Sequence, residues 1–131
     1  MEIGFTGSQY GMTRNQSTNF IESILHLKPS KFRHGCCIGA DSQAHYIIRR
    51  YFPLCQIIGH PPINQSKMDL TLKPDIMLEP KEYIERNHDI VDLSKLMIAT
   101  PYSAKEQIRS GTWATIRYSN SIGRNITILS P

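Results

Sequence analysis

Five short apolar runs, most of them rich in β-branched residues, are spaced along this sequence, and each ends near Gly, Pro, Ser or Thr. They cover residues 3–7, 35–39, 54–59, 95–100 and 125–129. Runs of this length and composition are typical of β-strands. Stretches such as LCQIIG, KLMIAT and NITIL are apolar on both faces of the expected strand. This pattern predicts a parallel sheet covered by helices on both sides.

Segments with helical spacing of apolar residues lie between these runs. They cover residues 13–27, 41–51 and 83–93, and a fourth helix is predicted at about residues 112–121. Thr13 and Gln16 have the spacing of a capping box, in which the threonine hydroxyl and the glutamine side chain each bind a backbone amide. The first helix should therefore begin at Thr13. Asp41 is the predicted N-cap of the second helix.

The alternation of strands and helices predicts an α/β fold of the Rossmann-like, doubly wound type, with a mainly parallel sheet flanked by helices on both faces. In such a fold the ligand crevice lies outside the carboxyl ends of the strands. Residues 64–75 break the alternation and are predicted to form a long loop, either flexible or closing over the crevice as a lid. The length of 131 residues predicts one domain, covering residues 1–131.

The composition narrows the expected setting and partners. No stretch approaches the roughly 20 apolar residues of a membrane span, and the N-terminus lacks the pattern of a signal peptide. The three cysteines include two neighbours, which favours reduced thiols over a disulfide framework. We therefore expect a cytoplasmic protein without a membrane partner. The net charge of +4 comes from dispersed basic residues, which makes nucleic acid an unlikely partner.

The first chemical motif is GFTGSQYGMT at residues 4–13, a strand that leads into a turn rich in Gly and hydroxyl groups and then into a capped helix. Unpaired amides at a helix N-terminus bind phosphate well, and Gly lets the backbone approach the anion. A plain structural turn is the alternative interpretation. The candidate phosphate-binding residues are Thr6, Gly7, Ser8, Gly11 and Thr13.

The second motif, HGCCIGAD at residues 34–41, has the same order of strand, glycine turn and helix. Gly39, Ala40 and Asp41 are its candidate ligand-binding residues. Asp41 has two compatible interpretations. Its carboxylate caps the helix, or it accepts hydrogen bonds from ribose hydroxyls or a base edge.

The third motif, RSGTWATIRY at residues 109–118, follows a strand and a polar loop. A Ser-Gly-Thr turn at a helix start is a second anion-binding surface. Trp113 either stacks on a base or packs into the core. The candidate residues are Arg109, Ser110, Gly111, Thr112, Trp113 and Thr115. Because this turn and residues 6–8 both open helices at one sheet edge, we expect them to share one anion.

No metal or cofactor is expected. His34, Cys36, Cys37 and His60 lie near predicted strand ends, but neighbouring cysteines on a strand point to opposite faces and cannot readily share a tetrahedral site. The sequence also lacks the GxSxG pattern of serine hydrolases and any fixed Cys/His pattern. A covalent nucleophile is therefore not predicted.

Taken together, the three motifs, HPP at residues 60–62 and RNHDIV at residues 86–91 resemble the SLOG superfamily of Rossmann-like domains. That superfamily includes LONELY GUY phosphoribohydrolases, DNA-processing protein A and nucleotide-sensing modules of bacterial conflict systems. The resemblance covers nearly the whole chain in order. It implies a nucleotide-type ligand on the carboxyl side of the sheet, and it implies a homodimer, since relatives commonly pair through helices.

In LONELY GUY enzymes a PGGxGTxxE motif binds phosphate and supplies a glutamate, and an upstream arginine assists cleavage of the base from ribose phosphate. Aligned without gaps, Gly111 and Thr115 match the motif, and Arg86 falls where the arginine is expected. Tyr118 replaces the glutamate. The developing oxocarbenium charge of that reaction requires a carboxylate, so the resemblance does not carry the reaction over.

The sequence therefore favours a binding module for a nucleotide or an NAD- or ADP-ribose-like derivative, acting as a sensor, sequestering protein or accessory factor. A role in phage–host conflict would place it in the cytoplasm of a bacterial host. The rival interpretation is an N-glycosidase or phosphoribohydrolase acting on nucleoside 5′-monophosphates. In this interpretation Arg86 is the catalytic arginine. Asp41, Asp89 or Glu85 takes the place of the missing glutamate. A third class, single-stranded DNA binding, requires a basic surface that the dispersed charges do not predict.

Overall fold

The computed structural model describes residues 1–131 and contains a six-stranded sheet in which every pair of neighbouring strands is parallel. The strands are β1 (Glu2–Gly7), β2 (Lys31–His34), β3 (Gln56–Gly59), β4 (Ile76–Met77), β5 (Leu96–Thr100) and β6 (Asn125–Ile128). The helices are α1 (Arg14–Leu27), α2 (Ala40–Tyr51), α3 (Tyr83–Leu93) and α4 (Gly111–Ser121), with a 3₁₀ turn at Gln65–Lys67. None of these helices is long and apolar enough to cross a membrane.

Helices cover both faces of the sheet, which confirms the doubly wound α/β fold. On one face, Phe20 of α1 and Ile48 of α2 pack with Phe5 and Phe32 of the central strands in a cluster of 12 buried residues. On the other face, Ile90 and Val91 of α3 pack on Met97 of β5. Burial of these side chains on both faces explains why β1, β3 and β5 are largely apolar. The edge strand β6 is largely exposed, so the expectation that it is buried on both faces is wrong.

The strand order is β4-β3-β2-β1-β5-β6. The chain runs outward from β1 to β4 and then crosses to the other side of β1 to form β5. The order therefore reverses between β1 and β5, and in open α/β sheets the ligand crevice forms at such a switch point.

The second strand differs from its predicted position. It occupies Lys31–His34, whereas the predicted run at residues 35–39 forms the turn into α2. Cys36 lies in the left-handed region at φ 62° and Gly39 at φ 81°, conformations that a strand does not allow. Cys36 is fully buried in this turn, so its apolar pattern reflects burial and not strand pairing. The two-residue strand β4 was not predicted.

The helix starts confirm one predicted cap and correct the other. Thr13 caps α1, and Gln16 completes the capping box. Gln16 is buried, and its Nε2 also donates to the carbonyls of Pro101 and Leu129. The N-cap of α2 is Gly39, so the prediction that Asp41 caps this helix is wrong. Asp41 is already inside the helix, and its side chain turns back toward the preceding turn.

The loop at residues 64–75 is attached to the turn before α2. The Ile38 amide donates to the Lys67 carbonyl at 2.8 Å, and the Asp69 amide donates to the Cys36 carbonyl at 2.9 Å. The Ser42 hydroxyl donates to the Asp69 carboxylate at 2.6 Å. These bonds hold the first half of the loop beside the carboxyl ends of β2 and β3.

Candidate functional site

A cavity of about 620 Å³ lies at the carboxyl ends of the central strands. This volume falls within the range of small-molecule sites. Its walls come from the end of β1, from the segments after β1, β2 and β5, from the 3₁₀ turn, from the first turns of α2 and α4 and from one face of α3. The lining residues are Phe5, Thr6, Gly7, Ser8, Gln9, Tyr10, Gly35, Cys37, Asp41, Asn64, Ser66, Lys67, Tyr83, Arg86, Asn87, Ile90, Tyr102, Gln107, Arg109, Ser110, Gly111 and Thr112. The two turns expected to share an anion thus face one cavity.

The N-terminus of α4 presents free amide groups in this lining. Ser110 is the N-cap, and its hydroxyl accepts from the Trp113 amide at 3.2 Å. The amides of Gly111 and Thr112 donate to no acceptor in the protein. Arg109 precedes the cap and has an exposed side chain without an ion-pair partner. This turn combines unpaired donors, the positive end of a helix dipole and a free guanidinium, the requirements of an anion site.

The turn after β1 contributes fewer free donors than predicted. Thr6, Gly7 and Ser8 line the cavity, but the Ser8 amide donates to the Thr100 carbonyl at 3.2 Å. The Gly11 amide donates to the Ser8 carbonyl. Gly11 and Thr13 lie outside the cavity lining, because the turn carries the start of α1 away from it.

Arg86 is the most buried cation of the site, with 5% of its surface exposed. Its Nη1 donates to the carbonyls of Gly35, at 2.5 Å, and His60, at 3.0 Å, and its Nε donates to Asn87 Oδ1 at 2.8 Å. It forms no ion pair with a carboxylate. The guanidinium stands 5.3 Å from the centroid of the Tyr83 ring. A buried guanidinium without a paired anion is costly, so a negatively charged ligand in the cavity would stabilise it.

Asp41 is the only carboxylate in the cavity lining. Its Oδ2 accepts from the amides of Gly35, at 3.1 Å, and Cys37, at 3.2 Å, and Oδ1 has no protein partner. Burial raises the pKa of Asp41 to about 6, although Arg86 and the two amides oppose this shift. The group is thus half protonated near pH 6 and mainly ionised at pH 7, where Oδ1 acts as a hydrogen-bond acceptor.

A chain of hydrogen bonds under the site fixes the protons of two buried histidines. The Cys36 amide donates to His34 Nδ1 at 2.9 Å, and His34 Nε2 lies 2.9 Å from His45 Nδ1. Burial, reinforced by the neighbouring His45, lowers the pKa of His34 to about 3, and burial also lowers the pKa of His45. Neutral His34 therefore carries its proton on Nε2 and donates it to His45. This chain of hydrogen bonds ends at the backbone of Cys36, the residue in the left-handed conformation.

Several predicted site residues lie elsewhere. Gly39 and Ala40 stand behind the cavity, where the Ala40 amide donates to the Ser8 carbonyl. Trp113 Nε1 donates to the Ser103 carbonyl at 3.2 Å, and the Thr115 hydroxyl donates to the Gly111 carbonyl within α4. None of these four residues lines the cavity. Trp113 is therefore not placed to stack on a base in the cavity and, although half-buried, it belongs to neither core cluster.

The remaining carboxylate candidates of the hydrolase hypothesis also stand outside the cavity. Asp89 pairs with Lys81 at 2.6 Å and lines a separate cavity, and Glu85 lies 3.9 Å from the same lysine. Tyr118, at the position of the family glutamate, stacks on His88 at 3.7 Å and donates to Asp92 at 2.7 Å. Its hydroxyl therefore points away from the candidate site.

Sequence reasoning missed several polar and aromatic members of the lining. Lys67 adds a third cation beside Arg86 and Arg109, and Asn64 and Ser66 come from the same loop. Tyr10 and Tyr102 lie at the carboxyl ends of β1 and β5, a position from which membership of the crevice could have been inferred. One interpretation of the loop at residues 64–75 places it over the crevice, but no pattern in residues 64–67 indicates which of them line the cavity, because that depends on the bonds to residues 38–42.

The cysteines do not form a reactive or metal-binding centre. Burial raises the pKa of the Cys37 thiol to about 11 and that of the Cys36 thiol to about 12, so both are protonated at neutral pH. No group of three or more His, Cys, Asp or Glu side chains is arranged to hold a metal ion. The cavity chemistry thus rests on its cations, amides and single carboxylate.

No protein-family model matches this sequence, and no curated protein matches it. A solved structure with a similar fold is that of the molybdenum cofactor binding protein from the phototrophic bacterium Rippkaea orientalis. The likeness has a TM-score of 0.73, covers 98% of this chain and 76% of that chain, and is accompanied by 19% sequence identity. It establishes a shared fold.

Proposed function

We propose that this chain is a single-domain, SLOG-type binding module for a nucleotide or a nucleotide-derived molecule such as an NAD or ADP-ribose derivative. The observation that carries the proposal is the pair of free amides of Gly111 and Thr112, which open onto the same cavity as the buried guanidinium of Arg86. The two amides lack an acceptor, and the guanidinium has no carboxylate within ion-pair distance. A phosphate group supplies oxygen acceptors for the amides and a negative charge near the guanidinium.

The charges of the cavity favour the same class of ligand. The cavity lining contains three cations, Lys67, Arg86 and Arg109, and one carboxylate, Asp41, so its net charge is positive. An anion that enters is therefore attracted, and Asp41 Oδ1 remains free to bind a hydroxyl of the same molecule. A phosphorylated sugar offers both groups. In this arrangement the N-terminus of α4 binds the phosphate and Asp41 Oδ1 binds a ribose hydroxyl.

Binding without turnover is the second part of the proposal. Cleavage of a glycosidic bond needs a carboxylate beside the sugar, and loss of a general acid or base lowers the rate by roughly a hundred- to ten-thousandfold. Tyr118, Asp89 and Glu85 do not line the cavity. The rival N-glycosidase hypothesis then depends on Asp41 alone. Incubation with nucleoside monophosphates, NAD and ADP-ribose should release no free base or nicotinamide at enzymatic rates.

The phosphate site can be tested by removing one hydrogen-bond donor. Pro is favoured at the first position of a helix, the Ser110 ψ of 126° suits a following proline, and a Cβ at position 111 meets no atom within 4 Å. Gly111→Pro should therefore keep the fold and delete one free amide. Hydrogen bonds to charged groups contribute about 1.5 to 3 kcal/mol, so AMP affinity measured by calorimetry should fall roughly tenfold or more.

Gly111→Ala is the matched control, since it adds a Cβ and keeps the amide. Arg109→Ala should weaken AMP binding most at low salt, whereas Arg50→Ala, on an exposed part of α2 outside the cavity, should not. Equal affinities of the Pro and Ala variants would reject the α4 site. If no AMP, NAD or ADP-ribose binds at all, the nucleotide assignment itself is rejected.

The molybdenum cofactor is a second candidate ligand, because the fold likeness to a protein that binds it extends over 98% of this chain. Mass spectrometry of small molecules released from purified protein by denaturation, together with elemental analysis for molybdenum, separates the two candidates. Molybdenum in stoichiometric amount would replace the nucleotide assignment. A released nucleotide without molybdenum would support it.

A further inference from the structure

Two tyrosine rings stand together in solvent at the mouth of the cavity. Tyr10 is 75% exposed and Tyr102 is 64% exposed, and both contribute to the cavity lining. Their ring centroids are 5.4 Å apart with an interplanar angle of 59°. Each ring thus contacts the other and still leaves much of its surface open. Large aromatic side chains are usually buried on folding, which makes an exposed pair beside a cavity informative.

The backbone beneath both rings is anchored. The Tyr10 amide donates to the Ser8 hydroxyl at 3.0 Å. This bond fixes the backbone of the turn at the residue that carries the first ring. Tyr102 follows Pro101, which is buried and whose carbonyl accepts from the buried amide of Gln16 at 2.8 Å. Because β1 and β5 are paired in the sheet, these two anchors are fixed relative to each other. The backbone positions that carry the two rings are therefore fixed before any ligand arrives.

The third tyrosine of the cavity is already engaged. Tyr83 is half-buried, the Arg86 guanidinium covers its ring and its hydroxyl donates to the Asn64 carbonyl at 3.3 Å. The hydroxyls of Tyr10 and Tyr102, by contrast, have no partner in the protein. This pair therefore offers the most exposed aromatic surface of the cavity lining.

We infer that Tyr10 and Tyr102 form a stacking platform for a planar heteroaromatic ring, and that they select ligands that carry such a ring on a phosphorylated sugar. The inference deepens the proposed function and rests on it, since the phosphate at α4 brings the ring to the mouth. Stacking reads the π-face and not the hydrogen-bonding edge of a ring. The platform therefore binds ligands with a planar base more tightly than ligands without one, and it discriminates poorly between adenine and guanine.

The test compares AMP and GMP with ribose 5-phosphate, which has the same sugar and phosphate and no base. Stacking on an aromatic side chain should make both nucleotides bind roughly 5- to 100-fold more tightly than ribose 5-phosphate, as measured by calorimetry. Tyr10→Leu and Tyr102→Leu should each reduce this ratio and leave the affinity for ribose 5-phosphate unchanged. Tyr10→Phe and Tyr102→Phe, which keep the ring, should preserve it. Because both side chains are exposed, none of these variants should impair folding.

Tyr46→Leu is the control for loss of an exposed tyrosine outside the cavity, and it should change neither affinity. If ribose 5-phosphate binds as tightly as both nucleotides, or if the Leu variants keep the ratio, the platform is rejected while the phosphate site stands. If none of the three probes binds, the proposed function fails as well, so the two failures are distinguishable.

Discussion

Replacement of Asp41 by Asn should raise the free energy of unfolding at neutral pH and lower the affinity for AMP. Asn keeps an oxygen that accepts from the amides of Gly35 and Cys37, the two bonds that hold the side chain in place. It removes the charge that burial opposes. The substitution therefore separates the fixed geometry of the site from its ionisation.

The magnitude follows from the pKa of the buried carboxyl, which lies at about 6 in the folded protein against an ordinary value of 3.8. Because the folded pKa is the higher one, this group favours the folded state at low pH, and that contribution is lost as pH rises from about 4 to about 6. One pKa unit corresponds to about 1.4 kcal/mol, so the ionised form costs about 3 kcal/mol at pH 8. Asp41→Asn should recover much of that free energy of unfolding.

Urea unfolding of the wild type and of Asp41→Asn at pH 4.5 and at pH 8 measures the effect. The gain in free energy of unfolding on substitution should be small at pH 4.5 and about 2 to 3 kcal/mol at pH 8. Calorimetry with AMP at pH 8 should show weaker binding by the variant, since a charged acceptor forms the stronger bond to a hydroxyl.

Two results would refute this reasoning. If Asp41→Asn destabilises the protein at pH 8, the carboxylate charge is net stabilising and the sign of the argument is wrong. If the difference between the two proteins is the same at both pH values, Asp41 does not titrate in this range. Unchanged AMP affinity in the folded variant would leave Asp41 with a purely structural part in the turn.

Further outcomes are expected at four other positions. Gln16→Leu should lower the free energy of unfolding by about 2 to 4 kcal/mol in urea titrations, because it leaves two buried carbonyls without a donor. Gly39→Ala should cost at least about 2 kcal/mol in the same assay, since φ 81° is strained for Ala and a Cβ would collide with the Gln9 backbone. His34 should make the wild type sensitive to acid, with stability retained above pH 6.5 and lost as pH falls toward about 3, as monitored by circular dichroism. The Tyr118→Glu variant should not cleave AMP, because this side chain faces Asp92 and not the cavity. Chromatography of the reaction mixture should detect no free base.

Strand positions were predictable where burial and pairing coincide. The runs that became β1, β3 and β5 are apolar because they lie inside a parallel sheet, and β6 is an exposed edge strand that keeps the β-branched pattern. The pattern locates all four within about two residues. Residues 35–39 are partly buried but are not paired in the sheet. Cys36 is buried within a turn, and the pattern of apolar residues does not distinguish a buried turn from a buried strand. The two residues of β4 are too few to carry a pattern at all.

The candidate site was predictable to the extent that topology determines it. Residues 6–8 and 110–112 face one cavity because parallel strands end at the same edge of the sheet. Which amides remain free was not predictable. It depends on single contacts such as the Ser8 amide with the Thr100 carbonyl, and the placement of Lys67 similarly depends on the bond between Ser42 and Asp69.

The buried histidine pair also provides an internal spectroscopic probe. The Nε2 proton of His34 is enclosed between two imidazole rings and shielded from solvent, so it should exchange slowly and give a resolved resonance far downfield in proton NMR. The same ring accepts from the Cys36 amide, in the turn whose flanking residues Gly35 and Cys37 line the cavity. Ligand entry should therefore shift this one resonance, so occupancy of the cavity can be read from a proton that no ligand touches.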